Sequence, residues 1–160
     1  MRYTTADRRR GAAAVETAIV LPVFLLFIFG ILICGIGVFR YQQVAWLSRE
    51  GARWASVRAN EYQKDTDLMS PTQQQIIDSA VTPYAVGMET NLINVTVEFV
   101  DKGTNTVTSW DSATKNMRSI SSSGEYVSNL VRVTVTYQWL PGIFWNPSTV
   151  GSVTEVPITN

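Results

Sequence analysis

The sequence predicts an α+β protein: a long N-terminal transmembrane helix continues into a stalk, and the stalk packs on a small antiparallel sheet. Three observations carry this. Residues 17–39 (TAIVLPVFLLFIFGILICGIGVF) contain no charged residue. Residues 40–62 keep helical spacing but turn amphipathic. After residue 90, apolar and polar residues alternate with the period of two that marks half-buried strands.

The apolar run comes first. At about 1.5 Å rise per residue, a helix from Thr17 to Phe39 is roughly 34 Å long. A hydrocarbon core is about 30 Å thick, so such a helix crosses it with some tilt. A helix also satisfies its own backbone hydrogen bonds in lipid. Pro22 removes one of them and leaves the Ala18 carbonyl without its usual donor. The run is longer than the apolar region of a secretory signal and has no small-x-small cleavage pattern at its end, so it reads as a retained span. Gly30, Cys34 and Gly37 form a small-residue face within it, suited to helix association.

Ahead of the run stands RRRGAAAVE, with a carboxylate, Glu16, at the lip of the apolar segment. An acid there is costly without a partner. A cut after Gly11 frees an amine at Ala12, and Glu16 then lies one turn further along the same helix face. Between two copies staggered by about a turn, amine and carboxylate pair in apolar surroundings, which makes Glu16 a register key. The small residues Gly11 to Ala14 leave that bond open to a protease.

The stalk carries small residues at Ala45, Ser48, Ala52, Ala55 and Ala59, spaced 3, 4, 3 and 4. This is a narrow face for close approach, to the chain's own sheet or to a neighbouring helix. Val44, Leu47, Gly51 and Trp54 run beside it. Glu50 is placed to pair with Arg53. Tyr41 and Trp46 fit an aromatic belt where the helix leaves lipid.

The rest of the chain reads as follows. Residues 60–70 are a polar linker. Ser70-Pro71-Thr72-Gln73 has a capping-box pattern with Pro at the first helical position. Ile76, Ile77, Ala80, Val81 and Tyr84 then mark an amphipathic helix that Pro83 ends or kinks. Ile93 to Phe99 is a strand, Asp101 to Asn105 a turn, and Val107 to Trp110 its hairpin return. Residues 111–125 read as a polar loop or exposed recognition tip. Val131 to Trp139 is the clearest strand, Pro141-Gly142 turns it, and Ser152 to Ile158 closes the sheet. Ile143, Phe144 and Trp145 gather in one loop, which either folds onto the core or meets a partner.

Composition excludes several functions. The 13 basic and 13 acidic residues cancel, so there is no electrostatic footprint for nucleic acid. There is no His, and the one Cys lies in the apolar run. A His-based triad, a soluble thiol nucleophile and an intrachain disulfide are thus ruled out, and no phosphate-cradling glycine motif is present. The expectation is a protein that is not an enzyme, with no cofactor, metal or small-molecule substrate.

Taken together, RRRGAAAVE, Leu21-Pro22, Phe29-Gly30 and SREGARWAS at Ser48–Ser56 resemble the TadE-like proteins, pilin-like components of the tight-adherence (Flp pilus) machinery. The most specific part is Arg49, Glu50, Gly51, Ala52 and Arg53. Ala12 and Thr17 depart from the pattern, since aromatic residues are common there. The resemblance implies a pilin-like fold with a leader (1–11), a transmembrane helix (12–39), a stalk (40–62) and an exported α+β domain (63–160). It implies cleavage between Gly11 and Ala12 by a prepilin peptidase. Its implied partners are membrane lipid, other pilin-like subunits and the pilus assembly platform. Basic residues before and after the span nearly balance, so charge counting leaves orientation open. The resemblance puts the N-terminus in the cytoplasm and the C-terminal domain outside the bacterial inner membrane, with a role in pilus biogenesis and adhesion. The alternative is an uncut single-pass receptor or adhesin with an exported binding domain.

Overall fold

The computed structural model describes residues 5–60, 69–139 and 146–159. The chain divides into two compact units, one ending at Val38 and one beginning at Phe39. Helix α1 runs from Thr5 to Ser56 and holds Pro22 without a break. In the first unit its apolar side chains, Leu26 and Ile31 among them, stay exposed. A helix that is apolar on all sides and uncovered is compatible with lipid surroundings. From Gly11 onward α1 contains a stretch long and apolar enough to cross a membrane, and none of that stretch is buried within the protein.

The second unit is built on the last part of α1, from Phe39 to Ser56. Its sheet has the order β2-β1-β5-β6, with every pair antiparallel. The strands are β1 (Ile93–Asp101), β2 (Thr106–Ser109), β5 (Leu130–Trp139) and β6 (Ser148–Pro157). β3 (Arg118–Ile120) and β4 (Tyr126–Ser128) form a separate two-stranded ribbon. One sheet face is apolar because the period-two pattern puts Val95, Val97 and Phe99 beside Val131, Val133, Val135 and Tyr137. Val44, Leu47, Ala52 and Ala55 of α1 join them in one core. The other face is polar, with Thr96 opposite Thr134 and Arg132 between Glu98 and Glu155. Arg132 Nε donates to Glu155 Oε1 at 2.8 Å, with Glu98 at 3.6 Å on its other side.

Several local outcomes differ from the sequence expectation. The stalk helix was expected to reach Tyr62, but α1 ends at Ser56. There the Arg58 N–H turns back to the Ala55 carbonyl, and the Thr159 N–H takes the Ser56 carbonyl. The C-terminus thus caps the helix from outside. The capping box starts at Thr72 rather than Ser70: Thr72 Oγ1 accepts from Gln75 N–H, and Gln75 Oε1 accepts from Thr72 N–H. Pro71 precedes the cap, and its carbonyl is held by buried Trp110 through Nε1 at 2.8 Å. The helix that follows is irregular: one α turn, α2 (Gln73–Ile76), then a π turn (Ile77–Val81) and a 3₁₀ turn (Thr82–Tyr84) containing Pro83. Tyr84 does not join the core face but is exposed. The stretch expected as a loop at 111–125 instead supplies β3 and leads into β4. Trp110 leaves β2 and turns into the core. The expected linker residues 61–68, and the loop carrying Pro141-Gly142, Ile143, Phe144 and Trp145, lie outside the described residues.

Polar side chains finish what the strands leave open. β2 pairs with β1 only from Glu98 onward. Beside the unpaired part, the Gln73 amide acts as a short strand: Oε1 accepts from Val97 N–H and Nε2 donates to the Val95 carbonyl. Fully buried Asn129 ties three segments together. Its Oδ1 accepts from Lys102 N–H and from Ser119 Oγ, and its Nδ2 donates to the Asn116 carbonyl.

Two glycines separate tolerance from clash. A Cβ on Gly51 would meet Val133 and Val81 at 3.4 Å, ordinary contact. A Cβ on Gly103 would meet the Ile120 carbonyl oxygen at 2.6 Å, because β3 crosses directly over that turn. Gly51→Ala is therefore expected to keep or raise the melting temperature, helped by about 1 kcal/mol of helix propensity. Gly103→Ala should lower stability by about 1–3 kcal/mol through forced backbone movement. Thermal unfolding of the detergent-extracted chain checks both.

The same turn is pH-sensitive. The Ser119 hydroxyl and the N–H groups of Thr104 and Gly103 hold the Asp101 carboxyl below the usual aspartate range, outweighing the opposing effect of burial. A depressed folded pKa means stability present at neutral pH and lost as pH falls through the ordinary aspartate value toward the folded one. Wild type should lose stability in acid more steeply than Asp101→Asn, measured by unfolding between about pH 5 and pH 1.

Candidate functional site

The residues singled out by the sequence fall in three places along α1. At its start, Gly11, Ala12 and Glu16 are exposed helical residues, and nothing lies within 4 Å of a Cβ placed on Gly11. Thr17 Oγ1 donates to the Ala13 carbonyl at 2.9 Å, which keeps this polar turn satisfied within the helix. Glu16 borders a shallow apolar hollow with Thr17, Val20, Leu21 and Phe24. The residues three and four positions away are Ala12, Ala13, Ile19 and Val20, so none of the neighbours one turn from Glu16 on its face is a cation.

Further along, Gly30 and Cys34 line an open groove with Leu26, Phe27, Ile31, Gly35 and Val38. The small residues leave a notch between larger apolar side chains. Gly37, expected on this face, is half-buried and does not line the groove.

The third place is the REGAR turn. Ala45, Ser48, Ala52 and Ala55, expected to approach either the chain's own sheet or a neighbouring helix, are buried within the second unit, Ala52 and Ala55 in one core with the valines of β5. Their small side chains let α1 lie close to the sheet. Ser48 is the polar centre of that seam. Its Oγ lies 3.0 Å from the Ser152 hydroxyl and 2.8 Å from that of Thr154 on β6, and it donates to the Ala45 carbonyl. Gly51 and Ala52 point inward, while Arg49 and Arg53 face solvent. Arg53 chelates Glu50 through Nη2 at 2.7 Å and Nε at 3.2 Å. The Arg53 hydrogen bond is the main cause that holds the Glu50 carboxyl below its usual range. A motif of charge, glycine and alanine thus combines a pinned inner seam with an ion pair on the outer face.

Among the described residues, no cluster of three or more acids, cysteines or histidines is placed to hold a metal. Lys115 is the one other buried charge of note. Its Nζ sits 5.0 Å from the Trp110 ring centre, and burial lowers its pKa. Its Nζ lies 3.5 Å from the Pro71 carbonyl, to which it donates.

Sequence reasoning missed Gln73, Asn129 and the hydroxyl set around Ser48. Asn129 precedes a strong strand with nothing in its neighbours to mark it. Ser48 was legible as small, but its partners on β6 are more than a hundred residues away.

This geometry defines a class: a chain with a membrane-capable N-terminal helix whose end docks by a small-residue seam on an antiparallel sheet. Within it, residues 11–53 match the family model described as TadE-like protein, so the chain carries a TadE-like segment. That stretch includes Glu16, the apolar run and the whole REGAR turn, about a quarter of the chain. No curated protein and no solved structure matches the chain.

Replacing Ser48 by Ala removes the shared hydroxyl but leaves Ser152 and Thr154 half-exposed and able to reach water. The expected cost is about 0.5–1.5 kcal/mol. Ser48→Leu overfills the seam and should cost about 1–3 kcal/mol or more. Chemical unfolding followed by tryptophan emission orders the two variants.

Proposed function

We propose that this chain is a pilin-like subunit of the tight-adherence (Flp) pilus machinery, held in the bacterial inner membrane by α1 and cut after Gly11. The observation that carries the reading is the TadE-like match over residues 11–53. It begins at the residue after which the leader would be removed and spans both the acid and the apolar run. In this reading the leader stays cytoplasmic and the sheet-bearing unit lies on the outer side. A prepilin peptidase frees the amine of Ala12, and Glu16 of one subunit pairs with that amine on the next. Charge burial gives the pairing its force, since an unpaired carboxylate among apolar helices costs several kcal/mol. The groove at Gly30 and Cys34 supplies a second contact along the same helices. The size of the sheet-bearing unit favours a minor subunit acting in pilus biogenesis over a bulk fibre subunit.

Two mutations separate the steps. Intact mass of the membrane-extracted protein should show loss of residues 1–11 in wild type, and the full-length mass in a Gly11 variant with a bulky residue. Glu16→Gln should still be cut but should lower surface pilus assembly at least tenfold, the effect of about 1.4 kcal/mol or more per subunit contact. A full-length N-terminus in wild type would sink the reading and favour the uncut receptor or adhesin. Undiminished pili with Glu16→Gln would remove the pairing role.

A further inference from the structure

The sheet ends in a strand that stands open on one side. β6 is the last in the order β2-β1-β5-β6 and is ten residues long, paired with β5 along its whole length without a bulge. In an antiparallel pair, alternate residues turn both backbone groups toward the partner and the rest turn them away. The Ile158 N–H donates to the Asn129 carbonyl, one step past the Leu130–Pro157 pair, so the even-numbered residues of β6 face β5. The odd-numbered residues face outward. Pro157, which has no N–H, belongs to that outward set, where an edge strand tolerates it. Pro147 holds the matching place by count just before the strand. Thr159, the next odd residue, donates to the Ser56 carbonyl. Between the two prolines, the N–H and C=O groups of Thr149, Gly151, Val153 and Glu155 meet no hydrogen-bond partner among the described residues.

The other edge is handled differently. Where β2 stops, the Gln73 amide closes the outward row of β1 at Val95 and Val97. Edge strands that must stay alone are blunted by a bulge, a lysine or a proline. β6 has none of these from Thr149 to Glu155. Its inner row, Val150, Ser152, Thr154 and Val156, is only half-buried, so a further strand beside it would complete the cover. Its outer row carries a charge imbalance. Arg132 faces Glu155 at 2.8 Å and Glu98 at 3.6 Å, two carboxylates to one guanidinium. A strand laid against β6 meets that surplus negative charge at Glu155.

We infer that the β6 edge binds an extended segment of a partner protein by strand addition: about seven residues without proline, apolar or hydroxyl-bearing on one side, with a lysine or arginine on the other side beside Glu155. Backbone pairing supplies the affinity, and the cation sets the register. The inference goes beyond the pilus reading and needs neither cleavage after Gly11 nor Glu16. The geometry argues against a second copy as the occupant. The docked part of α1 runs the same way as β6, with Ser48 beside Ser152 and Thr154, and Ser56 beside Thr159. Two β6 strands pair antiparallel about a two-fold axis normal to the sheet, which reverses α1 in one copy. α1 is unbroken, so copies inserted in one membrane in the same sense do not meet this way. Joining β6 to the β2 of a next copy leaves most of the edge unused, because β2 is only four residues long.

The probe is a heptapeptide copying residues 131–137 (VRVTVTY), the strand that β6 already accepts on its other side with Arg132 opposite Glu155. Amide hydrogen exchange of the full chain in detergent micelles is followed with and without the peptide, up to its solubility limit. Exchange at Thr149, Gly151, Val153 and Glu155 should slow about tenfold or more, while the even-numbered residues of β6 and the Ser122–Ser123 turn stay unchanged. Val153→Pro removes an outward donor but no bond to β5, and should abolish the slowing. A fully N-methylated peptide tests the same point with the protein intact and should not bind. Glutamate in place of the peptide's arginine should weaken binding severalfold. Absence of slowing, or slowing that survives N-methylation, overturns the inference. Slow exchange at the four amides before peptide is added overturns it as well: a dimer by light scattering then assigns the edge to a second copy, and a monomer assigns it to the chain itself.

Discussion

The architecture depends on how closely one helix lies on one sheet. Ala45, Ser48, Gly51, Ala52 and Ala55 are the smallest side chains available, and they face the valine rows of β5. A side chain longer than Ala at 51 would enter the space of Val133 and Val81, which a Cβ there already touches at 3.4 Å. Close packing of this kind gains many weak dispersion contacts and tolerates little change of volume. It also explains why one hydroxyl belongs in the seam. At this distance Ser48 reaches two hydroxyls on β6 and its own helix at once, so the buried oxygen is satisfied without a water.

The same helix changes character along its length. From Thr17 to Val38 it carries no charged residue and its large side chains are apolar, as a lipid-crossing helix requires. After Arg40 one stripe is small and the opposite face charged, as a sheet and water demand. No break in the helix marks the change. It is made entirely by side-chain size and charge, and it falls where the aromatic residues and Arg40 gather.

Periodic features were legible in the sequence. The alternation in residues 93–99 and 131–139 gave both central strands, and the spacing of small residues from Ala45 to Ala55 gave the buried stripe. The REGAR pattern pointed to the family whose model matches residues 11–53. What stayed hidden was nonlocal or irregular. α1 stops at Ser56 because the far C-terminus captures its carbonyl, which no local signal announces. The cap moved from Ser70 to Thr72 because Trp110 claims the Pro71 carbonyl. Tyr84 looked like a core position by helical count, but the π turn before it shifts the count and swings the ring out to Trp46. The serine-rich stretch read as a loop because β3 and β4 are only three residues each, too short for a period to show.

Glu50 and Glu16 show how differently the chain treats two carboxylates on one helix. Glu50 has Arg53 three residues on, in bidentate contact, and its charge is answered locally. One turn to either side of Glu16, its face carries only Ala and aliphatic residues. A helix that needed the acid merely to complement its N-terminal dipole would gain about 0.3–1 kcal/mol at an exposed position. Placing the acid against an apolar run forfeits more than that when other helices pack around it. No cation stands within a turn of Glu16 on its face. Under the proposed cleavage, an amine at Ala12 of a neighbouring copy staggered by about a turn would supply one, without a basic residue inside the span.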